Sequence, residues 1–123
     1  MQNDPAVEET PVLVNIKSGV ATITLNRPKM LNAFSLEIAD LIRSHIEAFA
    51  KDDKVRVVVI RGAGRVFSAG GDIKFMVDAV NSGQASAYFE APLTSFHKVT
   101  MALRRLKKPV LAAVHGAVAG YSW

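Results

Sequence analysis

Residues 55–74 read VRVVVIRGAGRVFSAGGDIK, and this stretch decides the fold class of the 123-residue chain. Its first seven residues have a continuous apolar centre, which is typical of a β-strand covered on both faces. Two glycine-rich breaks follow, GAG and then AGG, so the strand leads into a tight turn. Apolar residues then predict a short helix over residues 73–80, with Asp72 at its N-cap.

Upstream of this stretch the pattern predicts two strands and a helix. Residues 12–17 and 20–25 are rich in β-branched side chains, and the Ser18-Gly19 pair between them is a hairpin signal. Apolar residues then recur at helical spacing from residue 38 to residue 49, with Ser35 as the expected N-cap. The order strand, strand, helix, strand predicts an α/β fold.

Downstream, a helical stretch should run to about Leu106, with an interruption at Pro92, which suits a first helical turn. A short buried strand is predicted over residues 110–114, and the second glycine-rich turn, HGAVAG, occupies residues 115–120. Such a turn usually leads into a helix. The sequence therefore reads as interrupted at its end.

Composition is that of one globular domain, residues 12–123, after a flexible tail of residues 1–11. Half of the residues are hydrophobic and 21% are charged, and no apolar run approaches the length of a membrane span. The start is acidic and polar, unlike a signal or transit peptide. The absence of cysteine excludes disulfides and thiolate chemistry. We expect a cytoplasmic protein with no membrane partner.

The formal charge is +4, and the densest basic cluster is Arg104, Arg105, Lys107 and Lys108. This cluster favours a solvated helix end, since cations stabilise a helix C-terminus; a phosphate-bearing ligand is the alternative. No aromatic residues interleave with the basic ones and no nucleic-acid-binding motif occurs, so no nucleic-acid partner is expected.

The two glycine-rich turns are candidates for chemistry because each follows an apolar strand. Glycine lets a ligand approach bare backbone N–H groups, and the start of a helix leaves such groups unpaired. Two converging turns could hold one oxygen from two sides, as in an oxyanion hole. Glycine turns are also common in any α/β protein. Neither turn is a phosphate loop, and Ser68 lies in no G-x-S-x-G motif.

Three motifs, in this order and spacing, resemble the enoyl-CoA hydratase/isomerase (crotonase) family: RPKMLNA at residues 27–33, FSAGGDIK at 67–74 and KPVLAAVHG at 108–116. The resemblance covers roughly residues 12–120. It implies a spiral of ββα repeats, here truncated before the C-terminal helices. It also implies an acyl-CoA or enoyl-CoA thioester as substrate, whose carbonyl two backbone N–H groups polarise while they stabilise an enolate.

By this resemblance Gly71 supplies the first N–H group and Tyr121 the second, although Tyr121-Ser-Trp123 departs from the family's small residues. Coenzyme A enters as part of the substrate, with no permanently bound cofactor and no metal. A homo-oligomer, a trimer or dimer of trimers, is implied for the full-length protein. The residues expected to line the thioester and CoA are Lys29, Met30, Leu31, Ala69, Gly70, Gly71, Asp72, Ile73, Lys74 and Gly120.

Several functions stay open at this point. The parent protein is expected to be an enzyme that hydrates or isomerises an enoyl thioester in fatty acid metabolism. Thioester hydrolysis or another enolate reaction would use the same hole, and a truncated, inactive relative would keep only part of the CoA groove. Glu37 and Glu47 are expected to face solvent, which leaves Glu90 as the proton-transfer candidate. His115 is expected to orient the second turn. Phe75, Met76, Tyr88 and Phe89 are expected in the core or the acyl-pocket wall.

Overall fold

The computed structural model describes residues 10–71 and 73–120. One sheet contains four strands in the order β1-β2-β3-β4. β1 is antiparallel to β2, and the other two pairings are parallel. In chain order the elements are β1 (Val12–Lys17), β2 (Val20–Leu25), a 3₁₀ turn (Pro28–Met30), α1 (Leu36–Lys51), β3 (Val57–Gly62), α2 (Ile73–Ser82), α3 (Ala85–Arg105) and β4 (Val110–Ala113).

The predicted hairpin and first helix are confirmed by their local geometry. Ser18 and Gly19 both have positive φ, 53° and 83°, which is the backbone of a type I′ turn between twisted strands. At the start of α1 the Ser35 hydroxyl accepts a hydrogen bond of 3.3 Å from the Ile38 N–H. These local signals therefore fix the ββα unit that carries the rest of the fold.

The core lies between the sheet and the helices α1 and α3. Phe34 and Phe96 meet edge to face with ring centroids 6.1 Å apart, and they join the start of α1 to α3. Burial of apolar side chains stabilises this layer by about 1.5–3 kcal/mol for each large residue. The largest apolar side chains that are fully buried are Ile23, Leu25, Ile38, Ile46, Val55 and Val58.

The predicted interruption of the third helix at Pro92 is wrong, because α3 continues through this residue. A proline inside a helix costs about 3 kcal/mol, since its ring removes one hydrogen bond and crowds the preceding turn. Pro92, Phe96 and Val99 are all buried. Packing of this apolar face outweighs the local cost. α2 also extends two residues beyond the predicted end, to Ser82.

The prediction of a buried last strand is also wrong. β4 pairs with β3, but its side chains are largely exposed, with Leu111 at 58% and the following Val114 at 55%. Small apolar residues predicted burial because sequence patterns do not reveal which layer covers a strand. Within the described residues, no second layer covers this edge of the sheet.

At the other end of the sequence, residues 10 and 11 belong to the expected tail and are nevertheless held in place. The Asn26 side chain donates to the Thr10 carbonyl at 3.0 Å, and the Asn26 N–H donates to the Pro11 carbonyl at 2.8 Å. Residues 1–9 lie outside the described part. None of the helices in the described ranges is long and apolar enough to cross a membrane.

Asn32 ties the loop after β2 to the loop after β3. Its side chain is 1% exposed, and its Nδ2 donates toward three carbonyl oxygens, those of Ala63, Val66 and Phe67, at 2.8 to 3.1 Å. Its Oδ1 accepts from the Arg27 N–H at 2.8 Å. The Asn32 backbone has a φ of 51°, a conformation that asparagine tolerates better than most residues. One amide group therefore satisfies the backbone of both loops.

Lys108 caps the C-terminal end of α1 from a distant part of the chain. Its Nζ donates to the carbonyl oxygens of Phe49 and Asp52 at 2.6 and 2.7 Å. The carbonyls at a helix C-terminus otherwise lack partners and carry partial negative charge. One member of the predicted basic cluster thus stabilises a helix end, as expected, but the end of α1 and not of its own helix.

Replacement of Asn32 by alanine should lower the free energy of unfolding by about 2–4 kcal/mol, because buried backbone groups lose their partners. Asn32→Gly keeps the left-handed backbone accessible and should lose most of the same stability. The matched control is Asn15→Ala on the exposed face of β1, with a change within about 0.5 kcal/mol. Urea unfolding measures all three. A wild-type midpoint for Asn32→Gly would show that the side-chain bonds contribute little.

Lys108→Met should lower the free energy of unfolding by about 1–2 kcal/mol, since it keeps an apolar stem and removes the charged donor. Its neighbour Lys107 is exposed, so Lys107→Met is the control and should change stability by less than about 0.5 kcal/mol. Thermal unfolding in low salt compares the two variants. Equal midpoints for the two substitutions would contradict the capping role.

Candidate functional site

The first glycine-rich turn, residues 67–71, is held in place by hydrogen bonds from three directions. The buried Ser68 hydroxyl donates to the Asn32 carbonyl at 2.8 Å and accepts from the Gly70 N–H at 3.1 Å. The Ala69 N–H donates to the Leu31 carbonyl at 2.9 Å. Ser68 is therefore a structural residue of this turn, in agreement with the absence of a nucleophile motif.

The second glycine-rich turn packs directly against the first. Ser68 and Val118 form a parallel β-bridge, and the Ala119 N–H donates to the Ser68 carbonyl at 3.1 Å. Gly70 has a φ of 95°, and a methyl group on it would lie 2.7 Å from the Ala119 carbonyl oxygen. A methyl group on Gly120 would lie 3.8 Å from the Gly71 nitrogen. The expected convergence of the two turns is confirmed, and glycine permits it.

Gly71 lies where the first turn meets an apolar cavity of about 440 Å³. Its N–H makes no hydrogen bond to any residue within 10–71 or 73–120. The Met76 methyl lies across Gly71, 2.5 Å from where a methyl group on Gly71 would be. An unpaired donor beside an apolar cavity can bind an oxygen that carries negative charge. The cavity is also lined by Phe34, Ser35, Leu36, Phe75, Pro92 and Phe96.

One ion pair lies on the wall of this cavity. Arg27 Nη2 and Glu37 Oε2 are 3.4 Å apart, and the Glu37 side chain is 61% exposed. Glu37 therefore faces solvent, as expected, and also borders the cavity, which the sequence did not indicate. Glu90 is exposed and is absent from the cavity lining, although Ala91, Pro92 and Leu93 of the next turn belong to it.

The residues predicted to follow the CoA path begin beside the first turn. Lys29 and Met30 are exposed at the 3₁₀ turn, and the Leu31 carbonyl holds Ala69. Asp72 and Tyr121 lie outside the described residues. The backbones of Ile73 and Lys74 start α2, but their side chains lie outside the described part, as do those of Tyr88 and Phe89.

His115 contributes a hydrogen bond that the sequence predicted only in outline. Its Nε2 lies 2.8 Å from the Gly64 carbonyl oxygen and donates to it. The contact joins the strand end at β4 to the GAG break after β3, so His115 holds that break and not its own turn. No group of three or more histidine, aspartate or glutamate residues in the described ranges could hold a metal ion.

Sequence reasoning missed the role of Asn32. Asn32 belongs to the RPKMLNA motif, but nothing in a single sequence distinguishes a buried asparagine from an exposed loop asparagine. The available signal was its position at the end of a proline-containing loop, where asparagine often adopts positive φ. The Arg27–Glu37 pair was equally hidden, since its partners lie ten residues apart across a loop.

Two related proteins match most of this chain in sequence. It is 42% identical over 110 residues to the trans-2-decenoyl-[acyl-carrier-protein] isomerase of Streptococcus mutans, which covers 89% of this chain and 41% of that protein. It is 37% identical over 112 residues to a probable 3-hydroxyisobutyryl-CoA hydrolase of Arabidopsis thaliana, covering 89% of this chain and 29% of the relative. The chain thus spans less than half the length of these relatives.

The fold is that of solved crotonases. An enoyl-CoA hydratase/isomerase from Xanthobacter autotrophicus superimposes with a TM-score of 0.81 at 31% identity, over 92% of this chain and 41% of that one. The family model described as enoyl-CoA hydratase/isomerase matches residues 20–121, which include the β2–α1–β3 unit and both glycine turns. The chain therefore belongs to the enoyl-CoA hydratase/isomerase, or crotonase, family.

Proposed function

We propose that this chain forms the thioester-holding part of an enzyme of the hydratase/isomerase type. The observation that carries the proposal is the Gly71 N–H, which has no described acceptor and lies beside an apolar cavity. In the proposed complex the thioester carbonyl oxygen accepts from Gly71 and the acyl chain enters the cavity. Such a donor contributes most when negative charge develops on the oxygen.

The proposed chemistry starts at the carbon next to the thioester carbonyl. Removal of a proton from this carbon, or addition of water one carbon further, moves an electron pair onto the carbonyl oxygen. A fixed N–H stabilises that charge without reorganisation, because the hydrogen bonds around Ser68 and Asn32 already hold the turn. Thioester hydrolysis also places charge on this oxygen, so relatives with different reactions can share this part of the fold.

A second donor is assigned to the backbone N–H of Tyr121, the residue after Gly120. Support comes from the packing of Gly120 near the Gly71 nitrogen, because a residue that follows Gly120 would then be close to the proposed oxygen. Two donors from separate turns would fix the carbonyl in one orientation. Orientation matters because small displacements of a reacting group cost large factors in rate.

The proposal assigns this chain binding and polarisation of the thioester, and not the proton transfers. Glu37 is the one carboxylate on the described wall of the cavity, and its oxygen already lies beside the Arg27 guanidinium. Glu90, the candidate from the sequence, does not line the cavity. The choice between hydration and isomerisation therefore depends on groups other than these.

Coenzyme A is the first candidate for the thiol part of the substrate, with its phosphates near Lys29 and Lys74. A carrier-protein thioester is the second candidate, because the Streptococcus mutans relative acts, by its name, on trans-2-decenoyl-[acyl-carrier-protein]. Titration of the chain with the same acyl group on CoA and on an acyl carrier protein separates the two. Tighter binding of the protein-bound form would establish the second candidate.

Gly71→Pro removes the proposed donor and, in a protein that also carries the proton-transfer groups, should lower the turnover of an enoyl thioester by about 10²–10³-fold. Gly71→Ala keeps the N–H, and its added methyl meets only the flexible end of Met76. The Gly71→Ala/Met76→Ala double variant is therefore the matched control and should retain most of the activity. The infrared carbonyl stretch of the bound thioester gives a second readout without turnover. An unchanged stretch in Gly71→Pro would refute the assignment.

Acyl-CoA binding should weaken as salt is added, because charge contacts of exposed lysines are screened over about 10 Å at 0.1 M ionic strength. Calorimetry at two salt concentrations measures the effect. Lys29→Gln should weaken binding and flatten the salt dependence, whereas Lys17→Gln, on the exposed part of β1, should leave both unchanged. Equal affinity at both salt concentrations would mean that other residues hold the nucleotide phosphates.

A further inference from the structure

A second cavity, of about 530 Å³, lies between the C-terminal halves of α1 and α3. On α1, the residues that line this second cavity begin at Arg43. Those that line the cavity beside Gly71 extend only as far as Glu37. Glu37 and Glu47 are ten residues apart, or about 15 Å along a helix axis. The two cavities therefore share the helix pair, but no described residue lines both of them. Nothing in the proposed thioester chemistry uses the second one.

The charged residues of this second cavity are mainly cations. Arg43 projects from α1, and Lys98 and Arg105 project from the same face of α3, seven residues apart. Glu47 is its only acidic lining residue in the described part of the chain, and the His97 ring adds a further polar group. The cavity thus carries an excess of two positive charges, which favours an anionic ligand.

Arg43 is incompletely partnered in the described structure. Its terminal nitrogens lie 3.9 Å from Asp40 and 3.7 Å from Glu47, which are distances of charge attraction and not of hydrogen bonds. Its Nε is buried and has no hydrogen-bond partner, the only buried side-chain polar atom of this kind among the described residues. The Nε atom has almost no accessible surface, so the donors available to an anion in the cavity are the terminal nitrogens, which make no hydrogen bond to either carboxylate. Guanidinium groups bind phosphate and carboxylate oxygens through paired donors.

We propose that this second cavity is an anion site for a small ligand that carries two negative charges in a phosphate or pyrophosphate group. Arg43, Lys98 and Arg105 would supply the donors, and the negative charge of Glu47 would partly oppose binding of the anion. The volume is within the range of small-molecule sites. The proposal does not rest on the proposed function, because neither Gly71 nor Lys29 takes part.

Inorganic pyrophosphate is the probe, titrated into the 123-residue chain by calorimetry in low salt. We expect one site per chain. Lys98→Gln and Arg105→Gln should each weaken binding about tenfold, the loss of one charge-assisted hydrogen bond. Glu47→Gln should strengthen binding about two- to fivefold, since it removes a carboxylate that lines the cavity. Lys17→Gln is the control and should bind like the wild type.

The Glu47→Gln arm keeps the test decisive, because a gain in affinity cannot come from misfolding. Thermal unfolding of each variant checks that the fold is retained. Absence of pyrophosphate binding, or equal weakening by Lys17→Gln, would overturn the proposal. Weakening by Lys29→Gln with no effect of Lys98→Gln would also overturn it, because the phosphate would then occupy the proposed CoA path.

Discussion

The site depends on one buried amide group, the side chain of Asn32. Two loops that follow different strands must lie side by side for the first glycine turn to face the cavity, and their backbone groups are then removed from water. Unpaired, each such group costs about 1–3 kcal/mol. Asn32 partners four of them, three carbonyls and one N–H. Its own carbonyl then accepts from Ser68, so the turn inherits its position from the same residue.

Under the proposed function, a rigid turn lets one framework serve several reactions. The Gly71 N–H belongs to the backbone, so the side chains that line the cavity can change without loss of the donor as long as Asn32 and Ser68 hold the turn. The apolar lining of the cavity includes Phe34 and Phe96, whose side chains fill space and take no part in chemistry. Reaction type can then vary with groups added from elsewhere, in keeping with the isomerase and hydrolase names of the relatives.

Local signals in the sequence predicted the helices and strands well, but the sequence did not reveal the long-range contacts. The Ser18-Gly19 turn and the Ser35 cap could be predicted because each depends on a few adjacent residues. Pro92 and β4 could not, because burial of Pro92 against the core and exposure of β4 depend on which layers meet in space. The same limit applies to Lys108, whose bonds to Phe49 and Asp52 span more than fifty residues. The turn at Gly71 was located from its motif, whereas the Asn32 network that supports it was not.

The sulfur of Met76 makes the site sensitive to oxidation. Its methyl group rests on Gly71, and the side chain is 40% exposed, so oxidants in solution can reach the sulfur. Oxidation of a thioether to a sulfoxide converts an apolar, flexible group into a polar one with a strong acceptor oxygen. At this position the new polar group would interrupt the apolar lining of the cavity beside Gly71. The change would alter neither the sequence nor the fold, and reduction of the methionine sulfoxide would reverse it.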